Sequence, residues 1–205
     1  MIPTFVIDNF FEAPALWRKY ATEQKFYKGD RGNWPGERTE LLSDLNKDLF
    51  DTVENKLLDY FPQFVKFSES DITFQIIGED YGQGWIHTDD IEHDVAGFVY
   101  LSPNSPQNTG STIYNDQHDW NAEKFTKLFL DDVNNEIRAN NEVMHKYRQE
   151  QRQKFTPSIT IENQYNRCIM FDPSKWHSAN NFFGDTLDNS RLTLVFFCNG
   201  VKVNA

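Results

Sequence analysis

Apolar residues recur at helical spacing over Leu45, Leu49, Val53, Leu57 and Tyr60. That period predicts a helix from about residue 44 to 60, with one buried face and an end at Pro62. Upstream, FVIDNFF reads as a short strand leading into a helix start. Asp8 or Asn9 is the expected cap, Pro14 suits the first turn, and ALWRKYATEQKF forms the body. Between the two helices, KGDRGNWPGERTE is dense in Gly, Pro and charge, so a surface loop is expected there.

From residue 71 the pattern changes. ITFQII, VAGFVYL, STIY, RCIMF and RLTLVFF are short runs rich in β-branched and aromatic residues. GEDYGQG, SPNSPQNTG, DPSK and FGDTLDNS punctuate them as turns. This predicts an antiparallel sandwich or barrel, with no βαβ alternation and no internal repeat. One helical block, about residues 121–154, interrupts the strands. Phe125, Leu128, Phe129, Val133, Ile137, Met144 and Tyr147 form a discontinuous apolar stripe along it, and Asn134, Asn135, Asn140 and Asn141 weaken its middle. It reads as an insertion packed outside the β core or over its mouth. Its basic end, HKYRQEQRQK, is accounted for by favourable charge near a helix C-terminus, with a substrate-facing role as the alternative.

Composition narrows the classes. A chain of 205 residues suits one domain, and 18 Phe and 5 Trp supply ample core material. The formal net charge of −11 repels phosphate backbones and argues against nucleic acid as a partner. Two cysteines, Cys168 and Cys198, exclude a four-Cys zinc site, and their apolar surroundings predict buried, inert thiols. The start lacks a basic leader with an apolar core, and no run is long enough to span a membrane, so a cytoplasmic, soluble chain is expected. GEDYGQG has no phosphate-loop pattern and no helix directly after it, which argues against a nucleotide role.

The candidate chemistry lies in GWIHTDD. On an extended strand His87 and Asp89, at i and i+2, point to one side and can reach one ion. In a chain this acidic, a lone His-x-Asp pair carries little weight. Its position between two strands and after a Gly-rich turn adds weight, as does His177 in FDPSKWHSANNF after the strand RCIMF. Two histidines and a carboxylate make the facial triad of non-haem Fe(II) oxygenases, which leaves coordination positions open. Arg191 and Thr193 share a face of RLTLVFF, so a guanidinium fork and a hydroxyl can converge on a carboxylate. His93 and Asp94 are expected on an exposed loop that touches substrate rather than at a second metal. His118 is expected in a surface turn, and His145 on a solvated helix face. Trp85 and Trp176 are expected to pack the barrel rim, with pocket lining as the alternative. Asp90 points away from the pair.

The order of these segments resembles the Fe(II)- and 2-oxoglutarate-dependent dioxygenases, in particular their prolyl-4-hydroxylase-like branch. The resemblance rests on His87 and Asp89 in HTD, His177 in WHSAN, and Arg191 with Thr193 in RLT. FVIDNFF is similar to the usual start of that branch, and WPGERT to a phrase in small phage and marine bacterial members. The resemblance is densest over residues 71–198. It implies an α+β, β-rich fold: a single double-stranded β-helix (jelly roll) domain over residues 1–205, with N-terminal helices and a helical insertion. It implies Fe(II) on His87, Asp89 and His177, and 2-oxoglutarate paired through its far carboxylate with Arg191 and Thr193. O2 is the other co-substrate, and the products are succinate, CO2 and a hydroxylated substrate. Many members carry a Tyr about nine residues before the first His. Here Gly78 falls at that place, so Tyr81, Gln75 or Tyr100 are the expected substitutes. A peptidyl proline or a small molecule is the expected substrate. The competing expectations are a cupin-like metal protein without 2-oxoglutarate, and a non-catalytic binding module on the same fold.

Overall fold

A computed structural model describes residues 2–28, 34–89, 92–115 and 142–203. The strand β1 (Phe5–Ile7) leads into helix α1 (Pro14–Thr22). Pro14 sits in its first turn, as expected, but Ala13 is the N-cap and no side chain caps the helix. Asp8 instead pairs with Arg167 (2.6 Å), and Asn9 takes φ +55° in the connecting turn. The helix stops at Thr22, four residues before the expected end, and the chain turns outward into β2 (Tyr27–Lys28).

The segment expected as loop pairs as β3 (Glu37–Arg38) against β2 on one side and a long strand on the other. The helix expected from residue 44 to 60 is divided into α2 (Leu42–Leu45) and α3 (Lys47–Leu58). Asn46 makes the break: its backbone is extended (φ −162°, ψ 101°), and its side chain accepts a bond from the Leu49 N–H. The buried face survives the break, with Val53 and Leu57 fully enclosed.

The β region contains β4 (Phe64–Ile77), β5 (Val95–Tyr100), β6 (Ser111–Tyr114), β7 (Pro157–Ile161), β8 (Cys168–Phe171), β9 (His177–Ala179) and β10 (Arg191–Lys202). A 3-10 turn, Glu79–Tyr81, follows β4, and helix α4 (Glu142–Lys154) precedes β7. Seven strands form one sheet in the order β1-β8-β5-β10-β4-β3-β2, and three form a second in the order β7-β6-β9. Every pair is antiparallel. The result is a double-stranded β-helix with its helices on the outer face of the larger sheet, as the resemblance implies. Of the insertion, only α4 is described. Phe125, Leu128, Phe129, Val133, Ile137 and the Asn-rich middle lie outside the described residues, as do His118, Asp90 and the side chains of Met144, His145 and Tyr147.

Period-2 alternation divides the core in two. Phe74, Val99, Leu194 and Phe196 face the helices and pack with Trp17, Val53, Leu57 and Phe61. Ala96, Tyr100, Ile113, Ile169 and Phe171 face the space between the sheets. In β10, Arg191, Thr193, Val195 and Phe197 point the same way and line a cavity of about 640 Å³. Cys168 and Cys198 are buried and unbridged, and burial raises both thiols, Cys198 to about 12. Among the described residues no helix is long and apolar enough to cross a membrane.

Candidate functional site

His87 does not lie in a regular strand. It forms an isolated antiparallel bridge with His177, the first residue of β9. The His87 N–H donates to the His177 carbonyl (3.0 Å), and the His177 N–H donates to the His87 carbonyl (2.9 Å). This reciprocal pair holds the two rings 4.4 Å apart, centroid to centroid. Asp89 is anchored by its own N–H, which donates to the Pro173 carbonyl at 3.0 Å. Its carboxylate oxygens then stand 3.5 Å from His87 Nε2 and 3.4 Å from His177 Nε2. One ligand atom from each residue lies within 4.8 Å of the others, a grouping that could hold a metal ion. Metal–nitrogen and metal–oxygen bonds near ~2.1 Å suit donors at that spacing.

The backbone also selects the tautomers. His87 Nδ1 lies 2.9 Å from the Trp85 carbonyl, and His177 Nδ1 lies 2.9 Å from the Lys175 carbonyl. A carbonyl only accepts, so each Nδ1 carries a proton; Nε2 is left as the ligand atom of the neutral ring, and in His87 when protonated it donates to Asp89 instead. Burial drives His177 down to about 4, so its ring is neutral at pH 7. Burial would raise Asp89, but His177, His87 and Arg38 outweigh it and hold the carboxyl at about 2. Enclosure would lower His87 too, yet its bond to Asp89 raises it. His87 keeps 45% of its side chain open to the cavity, whereas His177 is nearly enclosed.

Deeper in the cavity, Arg191 is buried among the rings of Phe98, Tyr100 and Phe182, which lie 5.3–5.5 Å from its guanidinium carbon. Burial lowers its pKa, and no carboxylate pairs with it among the described residues. Its Nε and the Thr193 hydroxyl, also buried, have no hydrogen-bond partner there. A buried guanidinium without an anion is costly, so an anion bound here would be stabilised.

The three expected substitutes for the missing Tyr are placed differently. Tyr100 faces inward beside Arg191, and its hydroxyl donates to Ser111 Oγ at 3.1 Å. Gln75 is the cross-strand partner of Thr193 and lines the cavity, donating from Nε2 to the Pro35 carbonyl (2.8 Å). Tyr81 also lines the cavity, beyond Phe182, with 5.4 Å between their rings. Trp85 lines the cavity rather than the rim, while Trp176 packs on Phe155 (5.0 Å) as expected. His93 lines the cavity mouth 5.4 Å from the Phe197 ring.

Two features escape the sequence pattern. Trp34 and Arg38, in the segment expected as surface loop, line the same cavity. The basic end of α4 is not solvated helix charge either. Gln151 accepts from the Ile86 N–H (2.9 Å) and donates to the Ile86 carbonyl (2.6 Å), directly before His87. Arg152 donates to the Tyr114 hydroxyl and to the Gly84 and Ala179 carbonyls at 2.8–2.9 Å. Arg148 is fully buried and donates to the Tyr81 carbonyl at 2.7 Å. An Arg-Gln-rich helix end beside a Gly-rich turn was the available signal.

A family model described as a family of unknown function, DUF6445, matches residues 2–198. No curated protein matches the sequence. Solved structures share the fold at low identity. HygX from Streptomyces hygroscopicus, with nickel and 2-oxoglutarate bound, aligns with TM-score 0.60 and 11% identity over 96% of this chain and 82% of its own. A Trichoplax adhaerens prolyl hydroxylase, in complex with a hypoxia inducible factor peptide fragment, gives 0.59 and 11% over 96% and 83%. An oxidoreductase of the 2OG-Fe(II) oxygenase family from Burkholderia pseudomallei gives 0.57 and 13% over 97% and 86%. These likenesses establish the fold.

Proposed function

We propose that this chain, which belongs to the family of unknown function DUF6445, is an Fe(II)- and 2-oxoglutarate-dependent oxygenase, most simply a hydroxylase. One observation carries the reading: a His-Asp-His group lines one cavity with a buried Arg191 and a Thr193 hydroxyl that, among the described residues, have respectively no anionic partner and no hydrogen-bond partner. The triad accounts for a divalent ion, and the Arg–Thr pair for the far carboxylate of a dicarboxylic co-substrate. A cupin-like site without that co-substrate leaves Arg191 unexplained.

In this reading His87, Asp89 and His177 hold the iron. Asp89 brings the charge, and the two rings present Nε2 because the Trp85 and Lys175 carbonyls take the Nδ1 protons. Arg191 and Thr193 bind the distal carboxylate, with Tyr100 orienting the guanidinium and Gln75 and Tyr81 lining the approach. When bound, the iron centre supplies O2 activation, with 2-oxoglutarate oxidised to succinate and CO2 as the substrate is hydroxylated. Phe98, Phe182 and Phe171 exclude water from that chemistry. Two free buried thiols suit a reducing, cytoplasmic setting. A small molecule and a peptidyl proline are the substrate classes; the Trichoplax prolyl hydroxylase is in complex with a peptide fragment, and HygX is also known with hygromycin B bound.

The test is succinate formation from 2-oxoglutarate with Fe(II), O2 and ascorbate, the ascorbate supplying the two electrons that reduce the second oxygen atom to water when no substrate takes it. Wild-type protein is expected to form succinate, and His177→Ala and Asp89→Ala to form none above free iron. Equal rates in all three would overturn the assignment.

A further inference from the structure

The cavity holds a second guanidinium that the proposed chemistry leaves unused. Arg38 lies on β3, opposite Gln75 on β4, and lines the cavity. Its guanidinium carbon is 4.5 Å from the Trp34 ring and 5.9 Å from the Phe197 ring. Phe197 stands six residues along β10 from Arg191. The Arg38 backbone is level with Thr193 across Gln75, and its side chain reaches along the cavity toward Phe197, away from the rings that enclose Arg191. Arg38 shares the Phe197 ring with His93 and lies within electrostatic reach of Asp89.

No hydrogen bond or ion pair satisfies Arg38 among the described residues, and its Nε is buried without a partner. Asp89 and Asp71 attract it only from beyond ion-pair distance. Asp89 is committed to the two histidines, and Asp71 is exposed at the rim. In the loaded site the charges of Asp89, a divalent ion, a dicarboxylate and Arg191 cancel. Arg38 is the charge left over. The Trp34 ring covers one side of the guanidinium, and the half-buried side chain still lines the cavity, where its terminal N–H groups can meet an anion.

We propose, building on the oxygenase reading, that Arg38 and Trp34 form the substrate subsite and that the substrate carries a free carboxylate placed there. One guanidinium fork matches a single carboxylate in charge and geometry, so the ligand class is a small carboxylic acid. This favours a free amino acid or similar acid over an internal peptidyl proline, which has no carboxylate to offer.

The experiment uses full-length protein with Fe(II) and saturating 2-oxoglutarate under anaerobic conditions, where the visible metal-to-ligand band reports the loaded site. Benzoate and benzamide are titrated as a matched pair, then free amino acids against their amides and blocked peptides. Calorimetry gives affinity beside the band. At least one acid is expected to perturb the band and bind, with its amide about tenfold weaker or more. Arg38→Gln is expected to weaken that acid by about tenfold or more and to leave 2-oxoglutarate half-saturation within about twofold. Arg38→Lys, which keeps the charge but not the fork, falls between. Amides and blocked peptides binding as well as acids would overturn the proposal, as would no acid binding at all. So would a loss of 2-oxoglutarate binding in Arg38→Gln, which would assign Arg38 to the co-substrate. If the wild type forms no band, the oxygenase reading itself fails, a separate outcome.

Discussion

Replacing Arg191 by Met is expected to move stability and ligand response in opposite directions. Arg191 is 5% exposed and has no anionic partner among the described residues. Burying such a charge costs several kcal/mol after relaxation. The rings of Phe98, Tyr100 and Phe182 return about 0.5–1 kcal/mol each, about 2 kcal/mol together. Met fills similar volume without the charge, so the ligand-free variant gains about 1–3 kcal/mol. For a chain of 205 residues that corresponds to a Tm rise of about 2–12 °C. The wild type then gains about 2.7 kcal/mol when 2-oxoglutarate is at a hundred times its Kd. The variant does not gain it, because the charge-assisted fork is gone. Calorimetric melts of metal-loaded protein, with and without 2-oxoglutarate, measure both. A ligand-free variant less stable than wild type by more than about 2 kcal/mol would show that Arg191 is structural. An undiminished shift with 2-oxoglutarate would show that the carboxylate sits elsewhere.

Other expectations follow from the same geometry. Gln151→Ala strips the Ile86 N–H and carbonyl of their bonds and leaves both buried, so denaturant melts should show a loss of about 2–4 kcal/mol, with weaker metal binding. Cys198, pushed up to about 12, and Cys168, raised by burial, should resist a thiol reagent in the native protein and react fully once it is unfolded. Metal affinity should depend on His87, whose pKa is raised by Asp89. Below that raised value protons compete with the ion, and apparent affinity falls about tenfold per pH unit; above it the curve is flat. Without metal, the sign reverses: the His87–Asp89 pair contributes stability below the ordinary imidazole pKa near ~6.5 and loses it as pH rises through the raised value. Titrations of binding and of ligand-free stability across pH should therefore slope in opposite senses in this window.

The triad and the Arg–Thr pair were legible because their spacing survives folding. His87 and Asp89 converge even though they lie outside a regular strand, since two extended residues suffice. Arg191 and Thr193 share a face because β10 alternates along its inner length. Tyr100 was legible as a candidate but not as the nearest one, because its inward face depends on β5 pairing with β10. Other features depend on partners far away in the chain. Strands of two residues, such as Glu37–Arg38, have no period to detect, so Arg38 and Trp34 read as loop. Asn46 looked like an interior helix residue until its extended backbone capped α3. The amphipathic signal of α4 is weak because Arg148 and Gln151 bury polar groups against carbonyls that only the assembled fold supplies.

The central claim is that one cavity binds Fe(II) and 2-oxoglutarate together, through His87, Asp89 and His177 at one place and Arg191 at the other. The most direct measurement is an anaerobic titration of metal-free protein with Fe(II) and then 2-oxoglutarate, followed by the visible charge-transfer band of the chelate. The band should appear in the wild type and be absent in His177→Ala. In Arg191→Met it should need about a hundredfold more 2-oxoglutarate. Tight iron binding with no band at any 2-oxoglutarate concentration would contradict the account.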